Sequence, residues 1–372
     1  VLVIIAVFII LTIIILYTIY QGVNVALCKG INTTMAQLQS VNSDRYLELP
    51  LGDFYVKSAY NCCAVNNYKY DYVDVCGLKA CLKRGVRFLD FEIFSVKNDP
   101  VVAISTLDNN FVIETYNYIY LSEIFTQISN LAFSAEGCRN SQDPLIINLR
   151  IMSNNKEMYN TIADLLYKHL EGRLLGKKYS YELKEKCNTG GIGDSGDCYF
   201  NISEKPLKEL MGKVILFVVD KHQIVRETKL AEYSNLISFS GNPFYKVLTE
   251  DQIKHSQTNL IEHNKLNLTL AIPNKSAIPK NINSDLMEKG SGVQFVAMCF
   301  QKRDNYLIHY ENQFEEAVDV NKKAVPFAFR LKPQNQRHIP TYFETSNLVC
   351  DASMSDQKTS YVLAGQKKLF TI

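Results

Sequence analysis

This 372-residue sequence predicts an α/β fold, a (β/α)8 TIM-like barrel carrying an N-terminal transmembrane helix. Three observations point there. Strand-like and helix-like segments alternate through the first half and again through the second, as when parallel strands are joined by crossover helices. Two strand segments, PLIINLRI and GKVILFVVD, are almost continuously apolar, as strands covered on both faces are. About eight strands over roughly 280 residues is the size of such a barrel.

The elements follow in order. The opening VLVIIAVFIILTIIILYTIY carries no charge, and twenty helical residues span roughly 30 Å of hydrocarbon. It is longer than a signal-peptide core and ends in Tyr17 and Tyr20, which suit a membrane interface. Residues 1–20 are therefore expected to be a retained anchor in the lipid bilayer, and 21–50 a spacer. FYVKSAY reads as a strand, and VDVCGLKACLKRG as a helix ending at Gly85, a C-cap residue type. RFLDFEIF and VVAIS are strands. LSEIFTQISNLAF is an amphipathic helix with Ile124, Ile128 and Leu131 on one face. PLIINLRI, the helix MYNTIADLLYKHLEGRLL and GKVILFVVD complete the first half. SNLISF, LTEDQIKHSQTNLIEHN, LNLTLAIP, GVQFVAMCF and AVPFAFRLKP repeat the theme.

The bulk numbers exclude little but exclude it clearly. A formal net charge of +2 argues against a nucleic-acid partner bound through overall charge, and Lys177-Lys178 and Lys322-Lys323 read as solvated faces. Ten Cys and sequons at Asn32, Asn201, Asn267 and Asn274 suit a lumenal or external face. Cys187 and Cys198 bracket CNTGGIGDSGDC, a loop suited to a disulfide. Its GIGDSG follows a charged helical stretch rather than a strand, so it reads as a loop and not a dinucleotide site.

Asp90 and Glu92 lie two apart in GVRFLDFEIF, so both carboxylates point to one face of a strand. These elements, in this order, resemble the catalytic barrel of eukaryotic phosphoinositide-specific phospholipase C. VDVCGLKACLKRGVRFLDFEIF resembles that family's helix and its strand of acidic metal ligands, and DPLIINLRIMSNN the strand supplying another ligand. PLKELMGKVILF resembles the close of the X half; LIEHNKLNLTLAIP, SGVQFVAMCFQ and FAFRLKP resemble Y-half strands. The resemblance places a barrel at 51–333, with the X half at about 51–220, the Y half at about 230–333 and a tail at 334–372.

The family cleaves a phosphodiester with two histidines and a calcium ion. Here the resemblance puts Tyr60 at the first histidine position and Ile104 or Thr106 at the second. Of the calcium ligands, Asn61 matches, Asp90 and Glu92 occupy the acidic positions with their lengths exchanged, and Arg150 stands in place of the fourth. Leu270, Ile272 and Phe217 fall where substrate- and phosphate-contacting Arg, Tyr and Lys belong.

A guanidinium among these carboxylates would pair with them in a charge-assisted fork, so an internal Arg–carboxylate cluster is expected in place of the metal, with no cofactor. The expected protein is membrane-anchored, single-pass and catalytically inactive. Its role is structural or interactive, with protein partners in an assembly such as a virion or a membrane scaffold, on a lumenal or extracellular face. The alternative left open is a phosphoric diester hydrolase acting on phosphoinositides or related lipids. It would use a rearranged site of Tyr60, Asp90, Glu92 and His263 or His309, with calcium only in that case. A third reading, an anion-binding barrel mouth, sits poorly with the lost phosphate-contacting side chains.

Overall fold

The structure, a computed structural model, describes residues 2–31, 33–107, 111–181, 201–239, 244–316, 326–339, 360–363 and 366–369. Eight parallel strands form the wall: β1 (Phe54–Ala59), β2 (Phe88–Val96), β5 (Leu145–Ile151), β6 (Val214–Val219), β7 (Leu236–Ser238), β8 (Tyr245–Thr249), β9 (Leu268–Ile272) and β10 (Phe295–Met298). They pair in the order β7-β6-β5-β2-β1-β10-β9-β8. The pairing between β1 and β10 all but closes the barrel, and among the described residues only the seam between β7 and β8 lacks strand pairing.

Two segments read as strands of the alternating series lie off the wall. VVAIS contributes β3 (Asp99–Val102), which folds back antiparallel on β2 and carries the short β4 (Ile119–Tyr120) on its far edge. AVPFAFRLKP contributes β11 (Phe329–Leu331), antiparallel to the start of β1. The strand that fills the wall instead is β8, directly ahead of the helix Glu250–Leu266, whose Thr249 capping box marks the switch. A final hairpin pairs β12 (Ser360–Leu363) with β13 (Gln366–Leu369).

Helices cover the wall where the periodicity predicts them. Val75–Lys83 starts at Asp74, whose carboxylate accepts from the Cys76 amide, and ends before Gly85 at φ +78°. Leu121–Leu131 buries Ile124, Phe125 and Ile128, and Lys156–Leu170 buries Ile162 and Leu166. The helices Ser284–Ser291 and Asn305–Glu315 complete the outer layer. Inside the barrel, Phe88 stacks on Phe295 at 4.5 Å and meets Phe217 edge-on, filling its lower end with aromatic rings.

The N-terminal helix runs from Leu2 to Lys29, past the expected anchor boundary. Its side chains from Val3 to Ile19 are exposed and, apart from Thr12 and Thr18, apolar, and Cys28 is half-buried. Among the described residues no helix is long and apolar enough to cross a membrane. The segment expected as a spacer joins the fold: Leu38, Val41 and Tyr46 are buried in the main core. A disulfide links Cys28 to Cys76, with Cα atoms 6.1 Å apart. Cys187 and Cys198, the pair expected from sequence, lie outside the described residues, as does GIGDSG.

Candidate functional site

In a parallel barrel side chains alternate between the interior and the helix layer. On β2 that alternation turns Phe88, Asp90 and Glu92 inward, Phe88 at the bottom and Glu92 nearest the mouth. Register then decides their neighbours. Asp90 pairs with Asn148 and Glu92 with Arg150 on β5, so an amide and a guanidinium face the two carboxylates across one strand gap.

The Arg150 guanidinium is the hub of the site. Its Nε and Nη2 each donate to Asp90 at 2.8 Å, Nη1 donates to Glu92 at 2.6 Å, and Nη2 also donates to Asn61 Oδ1 at 2.8 Å. Asn148 Nδ2 donates to Asp90 Oδ1 at 2.8 Å, and the Asn61 amide donates to Asp90 Oδ2 at 3.2 Å. Glu92 Oε2 accepts from the Ser105 amide at 2.8 Å, while Lys275 Nζ lies 3.4 Å from Glu92 Oε1. Every carboxylate oxygen is thus engaged, and two acids face two bases. Above them the Tyr60 ring covers the guanidinium, whose carbon is 4.7 Å from the ring centroid.

Electrostatics follow from that packing. Burial alone would raise the Glu92 carboxyl, but the charges of Arg150 and Lys275 outweigh it and hold it below its ordinary value. Burial would weaken the Arg150 charge, and the facing carboxylates instead bind its proton more firmly. The Tyr60 hydroxyl is pushed upward by burial, which removes it as a base near neutral pH.

Calcium wants six to eight oxygen ligands. The oxygens of Asn61, Asp90 and Glu92 that would serve are already accepting hydrogen bonds, and Arg150 places a positive charge among them. The residues present do not fit the ion. The neighbouring positions are equally unsuited to a phosphate: Leu270, Ile272 and Phe217 are buried, and Phe217 packs against Phe88, Phe295 and Tyr245. Ile104 is buried at the end of the β3 segment, and Thr106 donates to Glu114.

The structure brings Tyr60, Asn61, Asp90, Glu92 and Arg150 together, and it leaves the candidate histidines elsewhere. His263 sits in the last turn of Glu250–Leu266, where burial, with help from the Lys246 charge, lowers it to about 4. His309 is exposed on Asn305–Glu315 and bonds Asp285. Neither contacts the cluster among the described residues. Sequence reasoning missed Asn148, Ser105 and Lys275. Asn148 was within reach, two residues before Arg150 on the same strand face, whereas Lys275 arrives from the loop after β9.

Of the sequons, Asn32 lies outside the described residues. Asn201 corrects the expectation for its position: it is buried, and its side-chain nitrogen donates to the Leu266 carbonyl at 2.8 Å, leaving no room for a glycan. Asn267 is half-buried, and Asn274 is exposed.

No family model matches the sequence, and no curated protein matches it. Solved structures do. PLC21 of L. pealei superposes with a TM-score of 0.57 at 12% identity, over 78% of this chain and 38% of its own. PLC21 of S. officinalis does so at 0.57 and 13%, over 80% of this chain and 39% of its own. A calcium-dependent phosphoinositol-specific phospholipase C from Pseudomonas sp aligns at 10% identity with a TM-score of 0.46, over 78% of this chain and 97% of its own. The chain spans less than two fifths of the length of either PLC21. The likeness is one of fold: the nearly closed parallel barrel superposes on part of each PLC21 structure.

Proposed function

We propose that this phospholipase C-like barrel does not cleave phosphodiesters, and that it serves a membrane-attached structural or interaction role in an assembly such as a virion or a membrane scaffold. One observation carries the reading: Arg150 lies at the centre of the acidic cluster, bonded to Asp90, Glu92 and Asn61. A phosphodiester transition state needs a base for the attacking hydroxyl and cationic stabilisation of the developing charge. Here the Tyr60 hydroxyl is held protonated, and the one guanidinium at the centre is committed to two carboxylates. Membrane attachment is supported by the uncharged run 1–20 and by the exposed apolar side chains of residues 3–19.

The test is hydrolysis of phosphatidylinositol and phosphatidylinositol 4,5-bisphosphate by the full chain in mixed micelles, with and without calcium. No turnover above a buffer control is expected, and calorimetry is expected to show no calcium binding at the barrel mouth. Calcium-dependent turnover that disappears in Glu92→Ala would establish the rearranged hydrolase instead.

A further inference from the structure

We propose that Cys28, Cys76 and Asp74 bind a zinc ion once the Cys28–Cys76 disulfide is reduced, so that the metal takes over the link between the apolar helix Leu2–Lys29 and the barrel. One ligand atom from each residue, Sγ of the two cysteines and an oxygen of the carboxylate, lies within 4.8 Å of the other two. Cys28 Sγ stands 3.6 Å from Asp74 Oδ1. Zinc takes sulfur at about 2.3 Å and carboxylate oxygen at about 2.0–2.2 Å in a tetrahedron, which sets a sulfur and an oxygen about 3.5 Å apart. The sulfur–oxygen edge of such a site is therefore already present. The two sulfurs separate by turning about their Cα–Cβ bonds, across a Cα distance of 6.1 Å. All three residues are half-buried, so an ion can reach them and water can take the fourth position.

The ligands keep their places without the sulfur–sulfur bond. Asp74 Oδ1 accepts from the Cys76 amide at 2.8 Å, so the carboxylate and one sulfur are set on a single turn. The Asp74 amide donates to the Cys63 carbonyl at 2.8 Å. Gly77, in the same turn, packs so near the loop after β1 that a Cβ there would lie 2.7 Å from the Cys62 carbonyl oxygen. On the other side, Ile31 is buried against Val65 and Ala80, three residues beyond Cys28. Ligands supported this way are preorganised by packing and hydrogen bonds. Two thiolates with one carboxylate select zinc over calcium or magnesium, which take oxygen ligands. The N-terminal end of the nine-residue helix Val75–Lys83 also favours negative charge at Cys76.

The exchange balances. Two molecules of a monothiol pass two electrons and two protons to the bridged sulfurs and leave joined as their own disulfide, and Cys28 and Cys76 become thiols. Zinc then binds both sulfurs as thiolates, and their two protons go to solvent. The disulfide closes a loop across a sequence separation of 48, and a sulfur–zinc–sulfur bridge closes the same loop. The apolar helix therefore stays joined to the first barrel helix in reducing surroundings as in oxidising ones.

The full chain is reduced with a phosphine, which leaves as its oxide, then freed of reductant and titrated with cobalt(II) as the spectroscopic probe. The free cysteines among the described residues are all buried, which limits competition from them. The reduced chain should take up one equivalent of cobalt with a thiolate-to-cobalt charge-transfer band, and one equivalent of zinc should abolish that band. The oxidised chain should show no band. Zinc should return the urea midpoint of the reduced chain at least about half way to that of the oxidised chain, and chelator should reverse the gain. Asp74→Asn keeps a good capping residue and both cysteines, and should weaken cobalt binding at least about tenfold. Cys28→Ser should lose the band. A reduced parent without the band overturns the proposal. A Cys28→Ser chain that keeps the band at full strength places the metal on other cysteines and also overturns it. Equal cobalt affinity in Asp74→Asn does the same, because it takes the carboxylate out of the site.

Discussion

Replacing Arg150 by alanine tests the centre of the candidate site most directly. The substitution removes three hydrogen bonds to carboxylates and one to Asn61, leaving Asp90 and Glu92 fully buried with Lys275 as the one nearby countercharge among the described residues. Breaking a buried ion pair on one side costs about 3–5 kcal/mol. For a domain of this size that is a fall in Tm on the order of 6–10 °C. The loss should depend on pH in a defined sense. In the native chain Glu92 sits below its ordinary value, so it contributes stability above the usual carboxylate range and loses it as pH falls through the folded value. Without Arg150, burial dominates and raises Glu92, so the variant gains relative to the parent as the carboxylates take up protons. Urea unfolding followed by circular dichroism from pH 7.5 to pH 4 should show the gap closing toward acid. A loss below about 1 kcal/mol at neutral pH, or one independent of pH, refutes the view that this guanidinium neutralises the cluster.

Three further outcomes follow from the same geometry. Arg150→Glu, which puts a carboxylate where the ion pair was, should make Tm rise on adding calcium, whereas the parent should not respond; differential scanning calorimetry with chelator as control decides it. Cys28→Ser should cost up to about 4 kcal/mol, the loop-closure value for the 48-residue separation of this disulfide, and reductant should lower the parent's denaturant midpoint but not the variant's. Peptide mapping of protein secreted from a glycosylating cell should find Asn201 unmodified, since its amide nitrogen is buried against Leu266; a glycan there would contradict the placement of that segment.

Much of the barrel was legible because strand and helix periodicities are local. The apolar runs of β5 and β6, the amphipathic Leu121–Leu131 and the Gly85 stop need only their own neighbours in sequence. Asp90 and Glu92 were placed on one face by the same period of two. The errors fell where a segment's partner matters more than its pattern. VVAIS and AVPFAFRLKP have the composition of wall strands, yet both pair antiparallel outside the wall. Tyr245–Thr249 is half-polar, and it joins the wall through its register with β9.

By itself the sequence determined the strand and helix alternation and set the Asp90 and Glu92 carboxylates on one face of a strand. Only the tertiary structure decided what those residues touch. Arg150 reaches Glu92 because β5 lies beside β2 in a register that aligns residues some sixty positions apart. Lys275 and Ser105 complete the neutralisation from loops with no fixed spacing to the strand. Cys28 meets Cys76 because the chain returns along the first helix. Periodicity is set by bonds to near neighbours, whereas charge pairing and disulfide partners depend on how distant strands and loops are brought together.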